Sequence, residues 1–199
     1  MLALVITYQI PVTNVHKPEI HPVIMAKTDS FFIRHTTNLQ DDESYYQSPI
    51  DLGAYVDALG KAVLRIHNIS ISYTTSSGAP LEITGSANGT SAIASFQLVT
   101  QTQNALVLPG ENKSVVASGR TNAYAFGTGG ASFPSITSDA LDNAPQLWNN
   151  GYLIGVETMY LGGTASTGWT GDVYCSIVME CTSESLTQAA AMALALSQQ

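Results

Sequence analysis

A chain of 199 residues with 45% hydrophobic but only 11% charged side chains has the length to bury about 70% of its unfolded surface. It carries less than half the roughly 25% charge of an ordinary soluble domain. The net charge is −8, and no Lys or Arg follows Arg120, so the chain lacks the basic stripe that nucleic-acid binding or attachment to anionic membranes requires.

In chain order, Leu2–Ile10 reads as an apolar strand stopped by Pro11, and Val23–His35 as a second. The opening Met1–Ile6 is too short for a signal-peptide core, and no run reaches the roughly 20 apolar residues of a membrane span. Residues 36–49 are expected to form a polar loop containing the acidic cluster Asp41, Asp42 and Glu43. Pro49–Gly60 reads as a turn or short helix, with Leu52, Val56 and Leu59 at helical spacing.

Ala62–Thr75 gives the clearest strand. Its apolar phase switches near residues 66–69, which predicts a bulge or a crossing between packing environments. Ser76–Pro80 supplies a turn. Further extended runs are Ala92–Thr100, Ala105–Leu108 and Ser114–Ser118, followed by a Gly-, Ser- and Asn-rich surface excursion over 119–150. Tyr152–Leu161 and Asp172–Thr182 read as two strands joined by the Gly162–Gly171 loop.

The C-terminal segment is the one helical pattern. Ser185 and Gln188 suit a capping box, and Ala189–Leu196 has high helix propensity. Such a helix is apolar on every side, so it must pack on its own domain or on a neighbouring subunit. Eight or nine strands without alternating helices read as an all-β, antiparallel two-sheet sandwich of the jelly-roll type. The expected division is a sandwich over 1–183 and an apolar helix over 184–199.

Chemistry-bearing constellations are sparse. His16, His21, His35 and His67 follow no zinc spacing. Asp41, Asp42 and Glu43 lack the spaced calcium-loop pattern, although an inter-subunit cation site is the functional alternative to a solvated face. Cys175 and Cys181, on one strand face, stand about 20 Å apart, too far to bridge each other. They read as buried small hydrophobes. No nucleophile elbow occurs. Glu157 and Glu180 form the one carboxylate pair that two late strands could bring face to face, and Gly127–Gly130 lacks a phosphate-loop context. No enzyme activity, cofactor or metal is expected. Trp148, Tyr152, Trp169 and Tyr174 gather near loop ends, and Trp148 and Trp169 are candidates for stacking a sugar ring.

Hydroxyl-rich strands, long Gly119–Gly151 and Gly162–Gly171 loops and the lack of a catalytic motif resemble the single jelly-roll capsid proteins of small icosahedral viruses. The resemblance implies a self-assembling coat subunit in a virion, made in a host cytoplasm, whose partners are copies of itself and in some arrangements a second coat protein. It also implies assembly contacts through Leu2 and Val5 at the start and Leu186, Ala190, Ala193 and Leu194 at the end. The chain departs from the common pattern in lacking a basic N-terminal arm. Genome charge must then be neutralised by another protein, polyamines or an internal membrane. A carbohydrate-binding sandwich and a filament subunit joined by donation of Met1–Ile10 are the alternatives.

Overall fold

A computed structural model describes residues 29–57, 61–84, 89–125 and 136–198. The expected strand Leu2–Ile10, the start of Val23–His35, and Gly127–Gly130 lie outside them.

The strands are β1 (Phe31–Asn38), β2 (Tyr46–Asp51), β3 (Ala62–Thr74), β4 (Thr90–Val99), β5 (Val115–Ala125), β6 (Ile136–Asn143), β7 (Tyr152–Ile154), β8 (Thr158–Ala165) and β9 (Tyr174–Ser185), followed by α1 (Gln188–Ser197). They build a four-stranded sheet ordered β1-β9-β3-β7 and a five-stranded sheet ordered β2-β8-β4-β5-β6. All pairings are antiparallel.

The order has a simple logic. β1 pairs with β9, β2 with β8, β3 with β7, and β4 with β5. These nested pairs are the signature of one long antiparallel hairpin rolled into two sheets, which is a jelly roll. β6 is an additional strand on the outer edge beside β5.

Inner faces of both sheets supply the core. Leu64, Ile66, Ile177 and Met179 come from one sheet, and Phe96, Leu98, Met159 and Leu161 from the other. On β3 the buried residues are Val63, Leu64 and Ile66 before the register shift between Ile66 and Asn68, and Ile69 after it. One additional residue on the strand turns the alternation over, as the sequence pattern predicts. His67 sits at the shift and its Nε2 is 2.9 Å from Thr182 Oγ1.

Four expectations need correction. Residues 36–49 are not one loop. β1 continues to Asn38, and β2 starts at Tyr46 despite Pro49. Proline is tolerated there because β2 is an edge strand with one neighbour. Residues 119–150 are not one excursion either, because β5 runs on to Ala125 and β6 follows. Tyr152–Leu161 divides at Gly155–Glu157, where the chain crosses from one sheet to the other. Finally, Ala105–Leu108 is not a strand. It lies over the outer face of β4, where the Gln97 amide donates to Val107 O and accepts from Val107 N.

α1 is shorter and starts later than the pattern suggested. Ser185 is still in the β-ladder opposite Ala62, so Thr187 becomes the N-cap and its hydroxyl accepts from Ala190 N at 3.3 Å. The helix closes on Gln198, whose side chain accepts from Gly155 N at 2.9 Å and donates to Leu153 O at 2.6 Å. Thr100 Oγ1 donates to Gln198 O at 2.6 Å. The helix is thereby tied to the β4–β5 and β7–β8 connections.

Candidate assembly surface

The jelly roll has two ends. At one lie the β2–β3, β4–β5 and β7–β8 connections, the start of β1 and α1. At the other lie the β1–β2, β3–β4 and β8–β9 connections.

Of the exposed large apolar side chains, Phe32, Tyr55, Leu106, Leu108, Met192 and Leu196 lie towards the first end, whereas Ile93 and Tyr124 lie towards the other. Leu106 and Leu108 project from the β4–β5 connection, Leu147 and Trp148 from the β6–β7 connection, and Met192 and Leu196 from α1. Leu108 and Leu196 are each 65% exposed and Trp148 56%. The three segments are joined locally. Besides the Gln198 bonds, Arg65 Nη1 donates to Asn150 O, and Lys113, Gly151 and Leu194 line one small depression. Leu98–Gly110, Asn143–Val156 and Ser185–Gln199 contain no charged residue. That signal was available in the sequence, and it marks Leu106, Leu108, Leu147, Met192 and Leu196, which periodicity alone did not single out.

Of the expected contact residues, Leu2 and Val5 lie outside the described residues. Leu186 is half-buried, with its N–H donating to Lys61 O at 2.8 Å. Leu194 is also half-buried, packed over Gly155. A Cβ on Gly155 would come within 3.1 Å of Leu194 Cγ and Ala195 N. Ala190 and Ala193 are exposed.

The two tryptophans part company. Trp148 stands in the open, but Trp169 is 3% exposed and its Nε1 donates to Ile93 O at 3.2 Å. A buried ring offers no face for stacking, so Trp169 is corrected to a core residue. It does border a cleft of about 470 Å³ on the flank between β3 and β6, with Tyr73, Phe96 and Asp139.

Of the remaining candidates, His16 and His21 lie outside the described residues. Cys175 and Cys181 are free and buried on β9, and burial pushes each thiol up to about 12. Asp42 accepts from Ser44 N at 3.0 Å and from the Tyr46 hydroxyl at 2.7 Å, and these bonds hold its carboxyl below the usual range. Among the described residues, no three His, Cys, Asp or Glu side chains gather into a metal-binding group. His35 Nε2 is 2.6 Å from Ser48 Oγ, and burial lowers its pKa. Glu157 precedes β8 and Glu180 lies on β9, so they belong to different sheets. Asn68 Nδ2 donates to Glu180 at 2.6 Å. No described helix is long and apolar enough to cross a membrane.

No protein-family model matches the sequence, and none of the curated proteins does. Among solved structures, the chain is similar to one in the three-dimensional structure of Cocksfoot mottle virus. Identity is 12% and the TM-score 0.30, over 81% of this chain and 99% of that one. The fold is fixed by the nested pairing of the chain's own strands: it is a jelly roll, an arrangement that viral capsid, lectin and cupin domains use.

Proposed function

We propose that this chain is the repeating subunit of a closed protein shell, a viral coat protein assembled from copies of itself. The observation that carries the reading is the gathering of exposed Leu106, Leu108, Leu147, Trp148, Met192 and Leu196 on uncharged segments towards one end of the jelly roll. Apolar surface of that kind marks an interface. Copies of an acidic protein repel one another least where they carry no carboxylates, and closed assemblies repeat one contact many times.

Leu186, Ala190, Ala193 and Leu194 belong to this surface as flanking contacts, and Leu2 and Val5 are proposed to join it from the N-terminal segment. The virion is then the working location of the protein and the host cytoplasm its place of synthesis. With only 7 Lys and Arg against 15 Asp and Glu in the chain, the genome's charge is met by a second coat protein, polyamines or a membrane layer. The role is structural rather than enzymatic.

Light scattering on the purified full-length chain tests the reading. Large particles whose population grows with concentration support it. Scattering at the value of a 21.0 kDa monomer throughout the concentration series counts against it.

A further inference from the structure

The two sheets of the roll differ in width. β7 flanks β3 along Leu64–Ile66, so beside Ile71–Tyr73 the four-stranded sheet ends at β3. The five-stranded sheet runs on through β5 to β6. The inner face of β6 is left over a gap, the cleft of about 470 Å³, a size typical of small-molecule sites. Its lining is largely apolar, with Tyr73, Phe96 and Trp169 at its floor and Ile71 and Leu81 beside them.

Two polar groups interrupt that lining. The Tyr73 hydroxyl is buried without a hydrogen-bond partner, a costly state for a polar group unless something binds it. Asp139 is the second. In the β5–β6 ladder Asp139 stands opposite Thr121, and Leu141 opposite Gly119. A Cβ on Gly119 would come within 2.8 Å of Phe96 Cε1 in the core, so these positions share the inner face and Asp139 turns towards the cleft. Arg120 and Asp142 alternate onto the outer face, where they pair at 3.4 Å. Asp139 is therefore left without a counter-charge among the described residues. Burial first, and then Cys175 and the carboxylates of Asp139 and Asp142, hold the Tyr73 hydroxyl above its ordinary pKa of 10.0.

We infer that this cleft binds a small organic cation, an alkyl or aryl body on the apolar floor with a primary ammonium held between Asp139 and the Tyr73 hydroxyl. The carboxylate sets the sign of the head group, because a hydroxyl by itself accepts or donates equally well. Tyr73 selects a primary ammonium over a quaternary one, since its hydroxyl is satisfied by a head that can hydrogen-bond. Aromatic rings beside the site add to the attraction for a cation. The cleft is separate from the apolar residues of the assembly surface, so neither reading depends on the other.

The test is a titration of the full-length Trp148→Phe variant, whose one remaining tryptophan, Trp169, borders the cleft. The probes are phenethylammonium, phenethyl alcohol and hydrocinnamate, which share an aromatic body and differ in the charge of the head. The ammonium is expected to change Trp169 emission saturably and to bind about tenfold or more tightly than the alcohol, with hydrocinnamate weakest. Asp139→Asn, at an exposed position on an edge strand, is expected to leave the circular dichroism spectrum unchanged and to abolish that preference. Tyr73→Phe, which keeps the ring, should weaken the ammonium about fivefold. Equal binding of ammonium and alcohol, or a preference that survives Asp139→Asn, overturns the proposal. So does hydrocinnamate binding tightest, which would assign the head group to Arg120. Trp169 emission that does not respond to the ammonium at about 10 mM removes the site altogether. Light scattering on the same samples reports the shell reading separately.

Discussion

Arg65 shows how a chain this poor in charge uses the few ions it has. Its guanidinium donates from Nε to Glu184 Oε1 and from Nη2 to Glu184 Oε2 at 2.9 Å, and from Nη1 to Asn150 O, so it ties β3, β9 and the segment leading into β7. Bidentate pairing of this kind is the strong form of a salt bridge. Hydrogen bonds from Arg65 hold the Glu184 carboxyl below its ordinary value of 4.5. A depressed carboxylate contributes stability that is complete above the unfolded value and is lost as pH falls through the folded one. Glu184→Gln is therefore expected to flatten the decline in urea midpoint between about pH 5 and 3; an unchanged slope would contradict that role. The cysteines give a second expectation at this scale. With both thiols pushed up to about 12 by burial, the thiolate that reacts is suppressed. Ellman's reagent at pH 8 should label neither until denaturant is added, and rapid labelling of the native protein would show that β9 is more open than described. Trp148→Ala should change folding stability by no more than about 0.5 kcal/mol, as expected for an exposed position, while Trp169→Ala should cost about 3–5 kcal/mol because its ring fills the core. Equal unfolding midpoints for the two variants would contradict their assigned places.

Among the elements, β3, β4 and β9 were readable from the sequence, whereas the edge strands β2 and β6 were not. β3 announced both its existence and its bulge, because Leu64, Ile66 and Ile69 must all reach the core. β2 and β6 did not, because an edge strand has one partner and tolerates Pro49 or a polar run such as Thr137-Ser138-Asp139. The break between β7 and β8 was hidden for another reason. Both halves are apolar, and only the crossing between sheets, a property of the whole roll, separates them. The helix was legible in composition, but its cap shifted to Thr187 because the β9 ladder claims Ser185. The expected contact list named Leu194, which is half-buried over Gly155, and did not name the exposed Met192 and Leu196. Close backbone approach is a further element-level feature. A Cβ on Gly163 would meet Ser95 O at 2.0 Å, within the β8–β4 ladder. Gly163→Ala should lower stability by about 1–3 kcal/mol, the usual cost of overpacking, seen as a lower urea midpoint with unchanged m. A wild-type midpoint would mean the two strands separate more readily than this register allows.

At the scale of the molecule, the two sheets of the jelly roll enclose the core of the described residues, but folding by itself does not explain the placement of the apolar residues. The roll seals its core with the inner faces of two sheets. It leaves Leu108, Trp148, Met192 and Leu196 outside, on segments without charge. An isolated acidic protein gains nothing from that arrangement, whereas a subunit whose end is covered by its own copies gains apolar burial at each repeated contact. Negative-stain electron microscopy of the purified full-length chain at high concentration tests this most directly. Closed shells of uniform diameter are predicted. A field of separate particles of single-domain size, unchanged as concentration rises, would contradict the account.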